Sequence, residues 1–130
     1  MPDFSTLPPN VAEYRALRDA SGLGNFSVAA TETALVNTLH GVWLREGDEL
    51  VGMARLIGDG GCFAQMTDVA VHPRFQGRGH GHAIMQRLMA WAQEHLPPDC
   101  YISLIADPGA ERLYASVGFS PRTGMARIAG

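Results

Sequence analysis

The stretch Asp68-Val-Ala-Val-His72-Pro-Arg-Phe-Gln76-Gly-Arg-Gly79-His-Gly-His82 constrains this chain more than any other. Val69, Ala70 and Val71 read as the apolar end of a strand, and Pro73, which lacks an amide proton, stops any ladder there. Glycines follow at 77, 79 and 81, and then Ala83–Glu94 is a run of strong helix formers. Strand, glycine-rich turn and helix together make an anion site. The first amides of a helix have no intrahelical partner, its dipole adds positive potential, and glycine lets a phosphate approach the backbone closely.

Spacing separates the phosphate loops that share this recipe. A P-loop needs Gly-x-x-x-x-Gly-Lys-Ser/Thr, and the chain has no lysine. A dinucleotide fingerprint needs a third glycine where His82 stands, and an acidic residue about 20 positions on. Gln76-Gly-Arg-Gly79-His-Gly81, directly after a Val-Ala-Val-His-Pro strand end, instead resembles the acetyl-CoA signature Gln/Arg-x-x-Gly-x-Gly/Ala of the GCN5-related N-acetyltransferase (GNAT) family. Ala110-x-x-Leu113-Tyr114-x-x-x-Gly118-Phe119 resembles a second family motif. The two cover residues 39–119 well; the first 38 follow the family by element order.

The rest of the sequence sets limits. At 130 residues the chain reads as a single domain, 1–130, with enough length for a sizeable core. No segment nears the ~18 apolar residues of a membrane span, and the amino terminus has no signal-peptide pattern. A net charge of -3 argues against a nucleic-acid partner. Cys62 and Cys100 belong to no metal or redox motif and read as reduced, partly buried thiols of a cytoplasmic protein.

Along the chain, Phe4–Leu7 reads as an edge strand. Asn10 caps a helix over Val11–Ala20, and residues 28–38 form a second helix with Ala29, Thr33, Val36 and Asn37 on one side. Strands over Leu39–Arg45 and Glu49–Ile57 meet at a Glu46-Gly47-Asp48 turn, and Cys62–Val71 is the next strand. The long helix turns Ile84, Leu88, Trp91 and Ala92 inward. Cys100–Ala106 is a buried-type strand, and Asp107-Pro108 opens a last helix as N-cap and N1. A closing hairpin is expected from Phe119–Pro121 and Met125–Ile128.

The resemblance implies an α/β GNAT fold: a mixed, mostly antiparallel sheet splayed between its fourth and fifth strands and flanked by about four helices. It implies acetyl-CoA as co-substrate, with the backbones of Val69 and Val71 holding the pantetheine arm. Gln76, Gly77, Arg78, Gly79, His80, Gly81 and His82 would face the pyrophosphate, with Arg74 or Arg78 at the 3′-phosphate and Asp107 as a further contact. Tyr114 takes the place of the family's general acid. A departing thiol titrates near ~8.5 against ~10 for a phenol, so a placed Tyr114 can protonate the sulfur. The acceptor is a small-molecule or protein amine, bordered by the first two helices, where Tyr14, Asn25, Phe26 and Glu32 are candidates. Asp68 is the first choice of general base, with a structural role as its equal alternative, and His72, Gln65 through water, and His40 stand behind it. A homodimer through the carboxy-terminal strands is expected.

His72, His80 and His82 invite a metal reading. Residues two apart on a helix point roughly 200° apart, however, so His80 and His82 do not share an ion. They fit better in a local positive patch with Arg74 and Arg78. Acyl transfer with a longer chain or a non-amine acceptor, and a CoA-binding regulatory module without chemistry, remain the alternatives.

Overall fold

The computed structural model describes residues 1–130. Helix α1, Val11–Ala20, starts at Asn10, whose side chain accepts from the Glu13 amide at 2.8 Å. Glu13 returns the bond to the Asn10 amide at 3.0 Å, completing a capping box. Glu13 also meets Arg45 at 2.7 Å, and that guanidinium holds its carboxyl below the usual range. Ser27 caps α2, Val28–Val36. Only Thr31 of this helix is buried and Val36 is exposed, so the inward face differs from the one expected.

Five strands, β1 (Asp3–Ser5), β2 (His40–Glu46), β3 (Glu49–Gly58), β4 (Phe63–Val71) and β5 (Tyr101–Ser103), lie in the sheet in chain order. The first three junctions are antiparallel and β4–β5 is parallel. The crossover between those last two is α3, His80–His95, and a short α4, Glu111–Ala115, follows β5. The open mixed sheet and four helices are those of the expected fold.

Each sheet face has its own core. Towards α3 lie Val51, Leu56, Met66, Ile84, Met85 and Leu88. Full burial of residues such as Ile84 and Leu88 contributes about 1.5–3 kcal/mol each. Met85 joins the inward face expected of Ile84, Leu88 and Ala92, and Trp91 packs against the same core partly buried, stacked between His40 and His95. Towards α1 lie Tyr14, Leu17, Trp43, Leu50, Met53 and Ala70.

A bulge in β4 decides which core each of its residues joins. Met53 pairs with Ala70 and Arg55 with Thr67, so Ala54 faces two residues, Asp68 and Val69. Before this point Ala64 and Met66 pack towards α3. Beyond it Val69 and Val71 do, while Asp68 and Ala70 turn towards α1. Asp68 adopts φ 59°, a conformation that aspartate tolerates better than most side chains.

The end of the chain departs from expectation. Residues 119–130 form no strand, Met125 and Ile128 are exposed, and the strands that the expected homodimer would use are absent. Pro121 and Gly124 leave runs too short to pair, and they bury almost nothing against the sheet. The regular part of β5 shrinks to three residues. Asp107 does not cap α4, which starts from Ala110 with no side-chain cap. Gly109, at φ 90°, breaks the helical path that Asp-Pro would otherwise begin. No helix is long and apolar enough to cross a membrane.

Candidate active site

The chain leaves β4 through a single 3-10 turn, Pro73–Phe75, in which Phe75 is buried in the α3-side core. Gln76 then reaches back, its Nε2 donating to the Val71 carbonyl at 2.9 Å. Between these two anchors and α3, the glycines form a hollow of ≈ 280 Å³. Val71, Gln76, Gly77, Gly79, His80, Gly81, His82 and Leu113 line it with Phe75. Gly79 is the α3 N-cap at φ 82° and offers no side-chain acceptor, so the first amides of the helix stay free at the hollow. Most residues expected at a pyrophosphate thus converge on one concavity.

The two arginines differ. Arg74 meets both oxygens of Glu49 at 2.6 and 2.7 Å, which lowers the pKa of that carboxyl. Arg78 forms no ion pair; both guanidiniums rest near the Phe75 ring, at 5.3 and 5.5 Å. Arg78 is therefore the freer cation. His72 accepts from the Arg74 amide at 3.2 Å and caps the turn, and no group of three or more His, Cys, Asp or Glu is placed to hold a metal.

Beside this hollow the sheet opens. β5 pairs with β4 only through Phe63–Tyr101, Ala64–Ile102 and Gln65–Ser103. From Met66 to Val71 the β5-side edge of β4 has no strand partner, so backbone groups face an open gap. Val69 lies on this edge, and Val71 lies where the gap meets the hollow.

Leu113 lines the hollow, and its neighbour Tyr114 is half-buried on α4 with its ring edge-on to Phe119 at 6.5 Å. Burial raises the Tyr114 pKa, and the nearby charge of Asp107 raises it further. The phenol is thereby kept protonated. His82 adds a tie between the hollow and this helix, its Nδ1 lying 3.1 Å from Ser116 Oγ. The sequence contained the Leu113 and His82 positions but no sign of these contacts.

Asp68, the expected base, is instead part of a buried cluster. Tyr14 donates its hydroxyl to one carboxylate oxygen at 2.6 Å, and Arg55 Nε donates to the same oxygen at 2.6 Å. Arg18 occupies the other oxygen. The Asp68 side chain is 2% exposed, so it neither meets solvent nor has an idle oxygen for an acceptor proton. This environment fits an anchor that fixes α1 to the bulge. Tyr14 is committed there as well; of the other acceptor candidates Phe26 is half-exposed against Arg18, Glu32 is exposed, and exposed Asn25 bonds to the Arg15 carbonyl and Asp19. His40 is held against Trp91, 4.4 Å between rings, and burial lowers its pKa.

The chain as a whole is similar to known proteins. A probable acetyltransferase of unknown function from meticillin-resistant Staphylococcus aureus superposes with a TM-score of 0.93 at 36% identity, covering 100% of both chains. An uncharacterised N-acetyltransferase of Porphyra purpurea is 37% identical over 118 residues, 85% of this chain and 64% of its own length. The chloroplastic GCN5-related N-acetyltransferase 1 of Arabidopsis thaliana is 32% identical over 112 residues, 85% of this chain and 56% of its own. The chain thus spans less than two-thirds of the length of these curated relatives. Residues 11–119 match the acetyltransferase (GNAT) family, and the chain belongs to that family.

Proposed function

We propose that this chain moves an acetyl group from acetyl-CoA to a primary amine by direct attack, without a covalent enzyme intermediate. The observation that carries this reading is a juxtaposition on one side of β4. Free helix amides face a hollow that Val71, at the end of the unpaired edge, also lines, together with Leu113, the neighbour of half-buried Tyr114. In this reading the diphosphate lies at the α3 amides, where the dipole favours anions. Arg78 balances further phosphate charge. The amide-bearing arm runs along the open edge of β4 as an added strand, which brings the thioester towards Tyr114. The amine attacks the carbonyl carbon, the C–S bond breaks, and the Tyr114 hydroxyl donates to the departing sulfur. Because Asp68 is fully engaged, the acceptor's surplus proton passes to solvent.

Release of free thiol from acetyl-CoA, measured against panels of small amines and amino-terminal peptides, tests this directly. Turnover with at least one amine is expected. Tight CoA binding with no thiol release from any of them would replace the enzyme by a binding module.

The loop carries its own prediction. Gly79→Ala places a methyl group where nothing lies within 4 Å, so it does not clash with the fold. It does force an L-residue to φ 82°, costing about 1 kcal/mol of stability. Because Gly79 lines the hollow, the added methyl also narrows the space open to a phosphate, so acetyl-CoA affinity should fall roughly tenfold by calorimetry, the equivalent of 1.4 kcal/mol. Unchanged affinity in the folded variant would remove the hollow from the binding site.

A further inference from the structure

Cys62 and Cys100 have no part in acyl transfer, yet the fold brings them together from distant parts of the sequence. In the parallel β4–β5 pair, Phe63 lies opposite Tyr101 and Ala64 opposite Ile102. One step earlier on both strands, Cys62 falls opposite Cys100, and the Tyr101 amide donates to the Cys62 carbonyl at 2.8 Å. Side chains alternate along a strand, so Cys62 shares a face with Ala64, and Cys100 with Ile102. Ala64, Ile102 and Cys100 all pack towards the α3-side core, and the alternation carried one residue before Phe63 puts exposed Cys62 on the same side of the sheet. Neighbouring strands run ~4.8 Å apart, inside the ~4.4–6.8 Å range of Cα separations that a disulfide spans.

The site is also held in place. The Asp59 carboxylate accepts from the amides of Gly61, Cys62 and Phe63 at 2.8, 2.9 and 3.2 Å, which fixes the backbone that carries Cys62. Cys62 is exposed and Cys100 half-buried. Burial raises the Cys100 pKa, and the charges of Asp59, Cys62 and Asp99 raise it further. An accessible thiol beside a shielded one is the arrangement of an attacking and a resolving cysteine.

We propose that Cys62 and Cys100 are a reversible disulfide site at the closed end of the β4–β5 pair, with hydroperoxides as the oxidant class. The Cys62 thiolate attacks the terminal peroxide oxygen, the O–O bond breaks, and the leaving hydroxide takes up a proton to become water (an organic hydroperoxide leaves as its alcohol). The Cys100 sulfur then displaces the hydroxyl of the Cys62 sulfenic acid, releasing a second water as the S–S bond forms. Two thiols lose two electrons and the peroxide gains them. The bridge joins the strands at the end away from the gap, so it stiffens the base of the opening without closing it.

The test is peptide mass mapping of the whole chain after exposure to hydrogen peroxide, under non-reducing conditions. The expected product is an intramolecular Cys62–Cys100 bridge that dithiothreitol reverses. Cys100→Ser should leave a Cys62 sulfenic acid that dimedone traps, while Cys62→Ser should leave Cys100 unmodified over the same time. Wild-type Cys62 passing to sulfinic acid with Cys100 still reduced would overturn the proposal, as would bridges found only between two chains. The wild-type map decides the matter even if a serine variant fails to fold.

Discussion

Asp68→Ala is expected to cost about 3–5 kcal/mol of folding stability, the usual penalty for removing one partner of a buried ion pair. Its carboxylate accepts from the Tyr14 hydroxyl, Arg55 and Arg18, all inside the α1-side face of the sheet. Alanine would leave two buried guanidiniums without a counter-charge and place a methyl-bearing residue at φ 59°. Asp68→Asn keeps the tolerance for that backbone angle but not the charge, so it should fall between alanine and wild type. Chemical denaturation checks both. The cluster also makes a pH statement through Tyr14, whose pKa is raised by burial first and then by its bond to Asp68. A raised folded value means that this stability is fully present below the unfolded phenol pKa of ~10 and is lost as pH rises through the folded value. Catalysis gives a separate readout. At a temperature where Asp68→Asn is folded, kcat should stay within about twofold of wild type. A loss of roughly 10²-fold in the folded variant would restore Asp68 as a general base.

Tyr114→Phe should lower kcat by roughly 10²-fold while leaving acetyl-CoA affinity nearly unchanged. Only a hydroxyl is removed, so the edge-on contact with Phe119 and the packing against the α3-side core persist. An interaction made with sulfur as it leaves counts in the transition state and hardly at all in the ground state. Losses within the ordinary range of acid–base catalysis follow. Burial and Asp107 hold the phenol above its usual pKa, so any descending limb of the wild-type kcat profile that reports its ionisation lies above pH ~10. That limb should vanish in the variant. Full kcat with a good amine acceptor would make Tyr114 a packing residue and leave thiolate protonation to water.

Features written in local chemistry were legible in the sequence. Asn10 and Glu13, three apart, announce a capping box, and Gly47-Asp48 between apolar runs announces a hairpin. The glycine loop follows its strand and precedes its helix as its spacing demands. The bulge was not legible, because Thr67-Asp68 interrupts the alternation of residues 63–71 without saying which face each side chain takes, and both sheet faces have apolar cover. With it went the role of Asp68, whose partners Tyr14 and Arg18 lie 54 and 50 positions away. Asp107-Pro108 carries the usual opening of a helix, and one left-handed glycine after it overrides that opening. The carboxy-terminal hairpin fails for want of contacts to bury it, which hydropathy of short runs does not reveal. Acceptor residues fared worst. Two of the four candidates are committed elsewhere, and that follows only from knowing which neighbours α1 meets.

The half of β4 that β5 leaves alone is chemically a template. Its backbone between Met66 and Val71, extended on either side of the bulge at Asp68, has no strand partner on this edge and can take a chain that offers a matching one. Natural sheets usually blunt such edges with charge or cover, because unguarded ones recruit other molecules into aggregates. Under the proposed function this edge stays vacant for the arm of acetyl-CoA, so protection falls to that occupant. Occupancy then acts as a guard as well as a reaction step. At a hundred times its dissociation constant, an occupant that binds only the folded chain adds about 2.7 kcal/mol to stability. The solubility of the protein should therefore follow the supply of its own co-substrate, falling first wherever that supply runs short.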